Sequence, residues 1–205
     1  MKISEWLQRL LIALSLMLAA CATQPLPQQY LLIYDAVPVS RSRFAICKAV
    51  SCEEIVGIHL SEADWQTIRL IFHPPAASAE YERRRIATAV GRLEQLVARQ
   101  AGTFDDQPRN AGSFRGTPQL DCVAETTNTT VYLLLMQDDG LLHWHSVGYP
   151  KHRGLLNLQF PHNTAVVIEN SSHKAFAVDS YFHANGRPAE VVPLAVWAAG
   201  YDPEY

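Results

Sequence analysis

His162-Asn163-Thr164-Ala165-Val166-Val167-Ile168, Asn170-Ser171-Ser172-His173 and Ala175-Phe176-Ala177-Val178-Asp179 decide the fold between them. Two apolar, β-branched runs of strand length flank a cluster of turn formers, which predicts an antiparallel hairpin. In such a hairpin the start of the first strand lies beside the end of the second. His162 and Asp179, seventeen positions apart in sequence, are therefore expected side by side. Upstream, Gly140-Leu141-Leu142-His143-Trp144-His145 opens a further strand over 141–147, and Tyr181-Phe182 reads as a short one. Asn185-Gly186 is a turn signal.

The segment before these strands is helical. Gln119-Leu120-Asp121-Cys122-Val123-Ala124-Glu125 opens a helix over 122–136, and Asp139-Gly140 ends it. Thr126, Thr127, Thr129 and Thr130 are poor helix formers, so packing must hold this helix. Residues 103–120 contain Pro108, Gly112, Gly116 and Pro118 without periodicity and read as a long loop. Earlier still, Ser78 can cap a helix whose Ile86, Val90, Leu93 and Val97 share one face. Its arginines fall mainly on the other side, as a solvated basic face. Gly102 is its stop. Ser61-Glu62-Ala63-Asp64 resembles a capping box, and that helix ends before Pro74-Pro75. Residues 30–39, 43–47 and 55–60 read as strands. Helices first and antiparallel strands later predict an α+β domain over 30–205.

Three residues carry chemistry. Cys122 opens a helix, where unpaired N–H groups and the macrodipole favour a thiolate over the free thiol of pKa ~8.5. Asp121, its neighbour, opposes that anion unless its side chain points away. His162 and Asp179 are brought together by the hairpin, Asp179 accepting from one ring nitrogen and leaving the other for the thiol. Cys, His and Asp are thus nucleophile, base and orienting group. The backbone N–H of Cys122 is a natural oxyanion donor, and Gln119 can add a side-chain amide.

At these residues the chain resembles the transglutaminase-like cysteine peptidase superfamily. The residues that carry the resemblance are Asp121-Cys122 on the helix, the strand from Gly140 to His145, and the hairpin from His162-Asn163-Thr164-Ala165-Val166 to Ala177-Val178-Asp179-Ser180. The resemblance covers roughly the second half of the mature chain. It implies a transglutaminase-like core, with the Cys-bearing helix packed on an antiparallel sheet, and a Cys-His-Asp triad. Bacterial periplasmic cysteine proteinases with this triad are among its members. Asn163 departs from the family, many members of which carry a small residue there.

The N-terminus belongs to a different process. Residues 10–20 are apolar behind a cationic start and too short to span a bilayer after cleavage. Leu18-Ala19-Ala20-Cys21 matches the lipobox of bacterial lipoproteins. That match implies a signal peptide over 1–20, cleavage before Cys21 and diacylation of Cys21 by chains of the palmitate type. Ala22 does not look like an inner-membrane retention signal, which favours the outer membrane. Residues 21–29, with Pro25 and Pro27, read as the lipidated cysteine and a tether. Of four cysteines, Cys21 is lipidated, Cys47 and Cys52 are close enough in sequence to pair in an oxidising periplasm, and Cys122 is left over. The alternative for Cys47 and Cys52 is two buried small hydrophobes.

A net charge of −3 without a long basic run argues against a nucleic-acid partner. The expectation is a lipid-anchored envelope thiol hydrolase, a cysteine peptidase or amidase needing no cofactor and acting on an envelope peptide or protein. Two rivals stand beside it. One is a noncatalytic binding lipoprotein on the same fold. The other is a metal hydrolase built on His143 and His145, which alternate on one strand face, with His152, His162, His173 or His183 completing the site. No His-Glu-x-x-His helix supports the metal reading.

Overall fold

The computed structural model describes residues 25–38, 40–110, 119–154 and 160–203. The expected leader over 1–20, the expected lipidation site Cys21, and Gly112, Gly116 and Pro118 of the expected long loop lie outside them.

The architecture is mixed α and β, with helices and, among the described residues, two antiparallel sheets. A helix built from Cys122 onward, here α4, is its axis. In chain order the elements are α1 (Pro27–Leu32), β1 (Phe44–Lys48), β2 (Glu54–Ile58), α2 (Glu62–Ile71), α3 (Ala79–Ala101) and α4 (Cys122–Asp138). Then come β3 (His145–Arg153), β4 (His162–Glu169), β5 (Ala175–Asp179), β6 (Glu190–Pro193) and α5 (Leu194–Ala198). All of α4 from Ala124 to Met136 is buried, so contacts on every side hold it. Its threonine hydroxyls turn back on the helix, Thr127 to the Val123 carbonyl and Thr130 to the Thr126 carbonyl, both at 2.7 Å. This satisfies polar groups that burial would otherwise leave costly.

β3, β4, β5 and β6 form one antiparallel meander in that order. Ala165, Val167, Phe176 and Val178 share a core with Val131, Leu133 and Leu135 of α4. Side chains alternate across a strand, so the odd-numbered residues of β4 face α4. The even-numbered ones face the opposite side, where the buried Trp197 of α5 lies. β1 and β2 form a separate hairpin docked on α4 through Asn128, which accepts from the Cys47 N–H at 2.7 Å and donates to its carbonyl at 2.9 Å. Cys47 and Cys52 are joined in a disulfide within this hairpin.

Local signals explain the helix ends. The Ser61 hydroxyl accepts from the Asp64 N–H and the Asp64 carboxylate accepts back from the Ser61 N–H, closing the capping box of α2. Ser78 caps α3, and Gly102 ends it in the left-handed region at φ 75°. Gly91 allows the 186–188 turn to lie directly on α3. A Cβ there would come within 2.5 Å of the Arg187 carbonyl oxygen.

Several expected elements differ. Of the strand expected over 30–39, the described residues 30–38 form none. Pro27 starts helix α1, whose Pro27 and Leu31 are buried, so the tether expected to reach residue 29 gives way to packed structure by Pro27. Proline at the first helical position is pre-set for that conformation. The strand expected over 141–147 begins only at His145, because the backbone N–H groups of His143 and Trp144 are taken by the Glu82 carboxylate. Tyr181-Phe182 is a turn, not a strand. β6 and α5 had no sequence expectation.

Candidate functional site

Cys122 occupies the first position of α4. Asp121 caps that helix, accepting from the Ala124 N–H at 2.9 Å and from the Ser51 hydroxyl at 3.2 Å. Cys122 is half-buried and, with the disulfide formed, is the free thiol among the described residues. Its pKa is raised rather than lowered. Burial is the main cause, with the Asp121 and Asp179 carboxylates adding to it. Asn163 works in the other direction, through both its backbone and its side-chain N–H, but does not outweigh burial. The helix start alone therefore does not produce a resting thiolate.

His162 and Asp179 meet as the hairpin requires, in a diagonal arrangement. The β4–β5 register pairs Ala165 with Val178, which places Asp179 opposite Thr164 and His162 one diagonal step away on the same face. The His162 Nε2 lies 2.7 Å from the Asp179 Oδ2. The same oxygen accepts from the Trp197 indole N–H, also at 2.7 Å. With Asp179 as acceptor, the neutral ring carries its proton on Nε2 and keeps Nδ1 as an acceptor. The ring is buried and packed by Tyr181, Phe182 and Trp197, with centroids at 4.7, 5.3 and 5.7 Å. Its chemistry is thereby restricted to one orientation.

The sulfur of Cys122 faces Asn163, whose Nδ2 donates to it at 3.8 Å. Among the described residues, no hydrogen bond joins this sulfur to the His162 ring. Strand alternation is the reason: Asn163 is on the α4 side of β4, and His162 is on the other. Both nevertheless sit at the first positions of β4. Tyr181 spans the two: its ring touches His162, and the Cys122 thiolate and the Asp179 carboxylate both help burial to push its phenol up to about 12. Asn163 is itself oriented by His152, its direct partner on β3, whose Nδ1 is 2.9 Å from the Asn163 Oδ1. With His152 donating to that oxygen, the Nδ2 is turned toward the sulfur.

Gln119 has a different task from the one expected. Its oxygen accepts from the Gln107 N–H at 3.0 Å and the Asn110 Nδ2 at 2.7 Å, and its Nε2 donates to the Asp105 carbonyl at 2.8 Å. It closes the 105–110 loop. Asn163 is the side-chain amide at the sulfur, at the very position where the sequence departs from the pattern it was expected to follow. That departure was the available signal. Trp197 had none, since it lies in an unflagged apolar segment.

The remaining histidines do not converge. His145 is buried between the Glu82 carboxylate, 2.9 Å from its Nδ1, and the Arg83 guanidinium, 3.2 Å from its Nε2. Burial alone would raise Glu82. Bonds from His145 and from the His143 and Trp144 N–H groups outweigh it and hold the carboxyl below its usual range. His183 is 2.8 Å from Glu190. Among the described residues no group of three or more His, Cys, Asp or Glu side chains is arranged to hold a metal ion.

No family model, curated protein or solved structure matches the chain.

Proposed function

We propose that the protein is a lipid-anchored thiol hydrolase of the bacterial cell envelope, with a transglutaminase-like core, that cleaves an amide through a Cys122 thioester. Of all the observations, the buried His162–Asp179–Trp197 chain at one end of the Cys122 helix is the one that carries this reading. A histidine fixed by a buried carboxylate, with one nitrogen left as acceptor, is built to take and return a proton.

The Cys122 sulfur attacks the amide carbonyl carbon while its proton passes to the His162 Nδ1. The developing oxyanion is met by the Cys122 backbone N–H and the Asn163 Nδ2. Collapse breaks the C–N bond, and His162 returns the proton to the departing amine. Water, deprotonated by the same nitrogen, resolves the thioester to a carboxylic acid and the free thiol. The raised thiol pKa means that proton transfer accompanies attack instead of preceding it. The resting sulfur has Asn163 as its partner, so this step requires the Cys122 side chain to turn past the start of β4 toward the His162 ring when substrate binds. Cys21, if lipidated, holds the domain at the outer membrane facing the periplasm, beside envelope peptides and proteins.

The expected result is amine release from a peptide amide that one equivalent of iodoacetamide on Cys122 abolishes and a chelator leaves unchanged. Because the thiol is protonated at rest, the alkylation rate climbs with pH through and beyond the ordinary thiol range. Loss of turnover with chelator but not with iodoacetamide overturns the proposal. Asn163→Ala is expected to lower kcat by about 100-fold with a small change in KM, as loss of one oxyanion donor does. An effect confined to KM removes Asn163 from that role.

A noncatalytic binding lipoprotein is the second reading. The observation that favours it is the sulfur held by Asn163 and not by His162, in a setting whose burial raises the thiol pKa. Full biological function in a Cys122→Ala strain decides for it.

A further inference from the structure

His162 opens onto a small cavity of about 220 Å³, lined also by Arg109, Arg153, Tyr181 and Asp202. We propose that this cavity is a carboxylate-binding subsite, in which Arg153 holds an acidic side chain of the acyl-donor peptide next to the scissile amide. It rests on the reading of His162 as the base, because that ring forms part of the cavity wall.

Arg153 is the one cation that suits the cavity to an anion, and Asp179 and Asp202 favour its charge from a distance without pairing with it. Arg109 is paired with the exposed Asp202 and stacks over Phe182 at 5.2 Å. Asp179, behind the His162 ring, is held by His162 and Trp197. Arg153 differs from both. Its guanidinium lies over the Trp197 ring at 4.6 Å and donates to the Trp197 carbonyl and, at 2.9 Å, to the Tyr201 carbonyl. Those bonds use two of its five N–H donors. Among the described residues it forms no ion pair. A guanidinium stays charged even when partly buried, and its fork matches a carboxylate in two parallel hydrogen bonds. Aromatic walls strengthen such a bond by excluding water. The volume is below the ~300–1,000 Å³ of sites that take whole drug-sized ligands, which suits one side chain of a longer chain.

The test uses the mature protein with Cys122→Ala, so that binding is read without turnover. Isothermal titration compares three peptides: acetyl-Ala-Glu-Ala-amide, acetyl-Ala-Gln-Ala-amide, and acetyl-Ala-Gln-Ala with a free C-terminal acid. The Glu peptide is expected to bind about tenfold more tightly than the Gln amide, and the preference to shrink severalfold between 20 and 500 mM salt. Arg153→Gln in the same background equalises the Glu peptide and the Gln amide. If that variant fails to fold, the salt dependence still reads the site. Equal binding of the Glu peptide and the Gln amide, no binding of either, or a preference indifferent to salt overturns the proposal. Tighter binding of the free acid than of the Glu peptide also overturns it, by assigning the cavity to a chain terminus. Turnover of the Glu peptide by the Cys122 form is read separately. Preference without turnover keeps the subsite and removes the hydrolase.

Discussion

Cys122→Ala and His162→Ala are each expected to lower kcat by at least about three orders of magnitude on a peptide amide, with KM changing little. The magnitude follows from the roles proposed for them. Without the sulfur no thioester forms, and without the imidazole no group receives the thiol proton or delivers one to the amine. Residues that act as one unit are not additive, so the double variant is expected to be no slower than the worse single one. Asp179→Asn is expected to cost about as much, because an amide turned to donate to the ring favours the wrong tautomer. Trp197→Phe keeps the ring packing and removes only the indole N–H to Asp179. It should therefore fall between the triad variants and the parent, near tenfold. A His162→Ala protein that retains full turnover sinks the mechanism. Slow turnover with additive losses replaces it by one in which the two residues act separately.

The resting geometry makes this prediction sharper than a residue list would. A preformed thiolate–imidazolium pair gives a flat pH profile over the neutral range. Here the thiol is raised by burial and by the nearby carboxylates. The cost of moving its proton therefore belongs to the chemical step. A solvent isotope effect on kcat is the expected signature, and its absence places the proton transfer before attack.

Much of this was legible in residue order. The hairpin that joins His162 to Asp179 follows from two apolar runs and a turn cluster. The capping box of α2 and the Gly102 stop of α3 follow from short-range chemistry that packing seldom overrides. What the sequence did not carry depends on three dimensions. Alternation along β4 was readable and assigns His162 and Asn163 to opposite faces. Which face α4 covers was not, because Val166 and Val167 are equally apolar and both buried. Residues 30–32, expected to extend as strand, instead close helix α1, because Leu31 is buried in the core. Trp197 and Arg153 come from elements far apart in sequence and meet only after the sheet is complete.

Raising the pH from about 6 to 9 is expected to destabilise the fold by roughly 2–4 kcal/mol, and Glu94→Gln to remove much of that slope. Glu94 on α3, Asp106 in the following loop and Glu125 on α4 are buried together. Burial pushes Glu94 up to about 8 and Asp106 up to about 6. Burial also pushes Glu125 well above its usual range, and the other two carboxylates reinforce it. Among the described residues, none of the three forms an ion pair with a lysine or arginine, and the Glu94 Oε1 has no hydrogen-bond partner. The folded state therefore keeps protons that the unfolded chain has already released. By linkage the unfolded state binds fewer protons, so stability is fully present below the ordinary carboxyl pKa and is lost as pH rises through the folded values. The carboxyls held low by partners, such as Glu82 and Asp139, lose their contribution only as pH falls into the acid range and do not mask this slope. Urea unfolding at several pH values reads the effect, and stability that is flat or rising between pH 6 and 9 rules it out. The site should respond with the fold. Glu125 lies in the first turn of the helix that Cys122 opens, and it accepts a hydrogen bond from Ser180, the residue after Asp179. Ionising this cluster repels Glu125 from its neighbours directly beneath Cys122 and Asp179. Turnover is thus expected to fall across the same pH interval, although a higher pH supplies more thiolate.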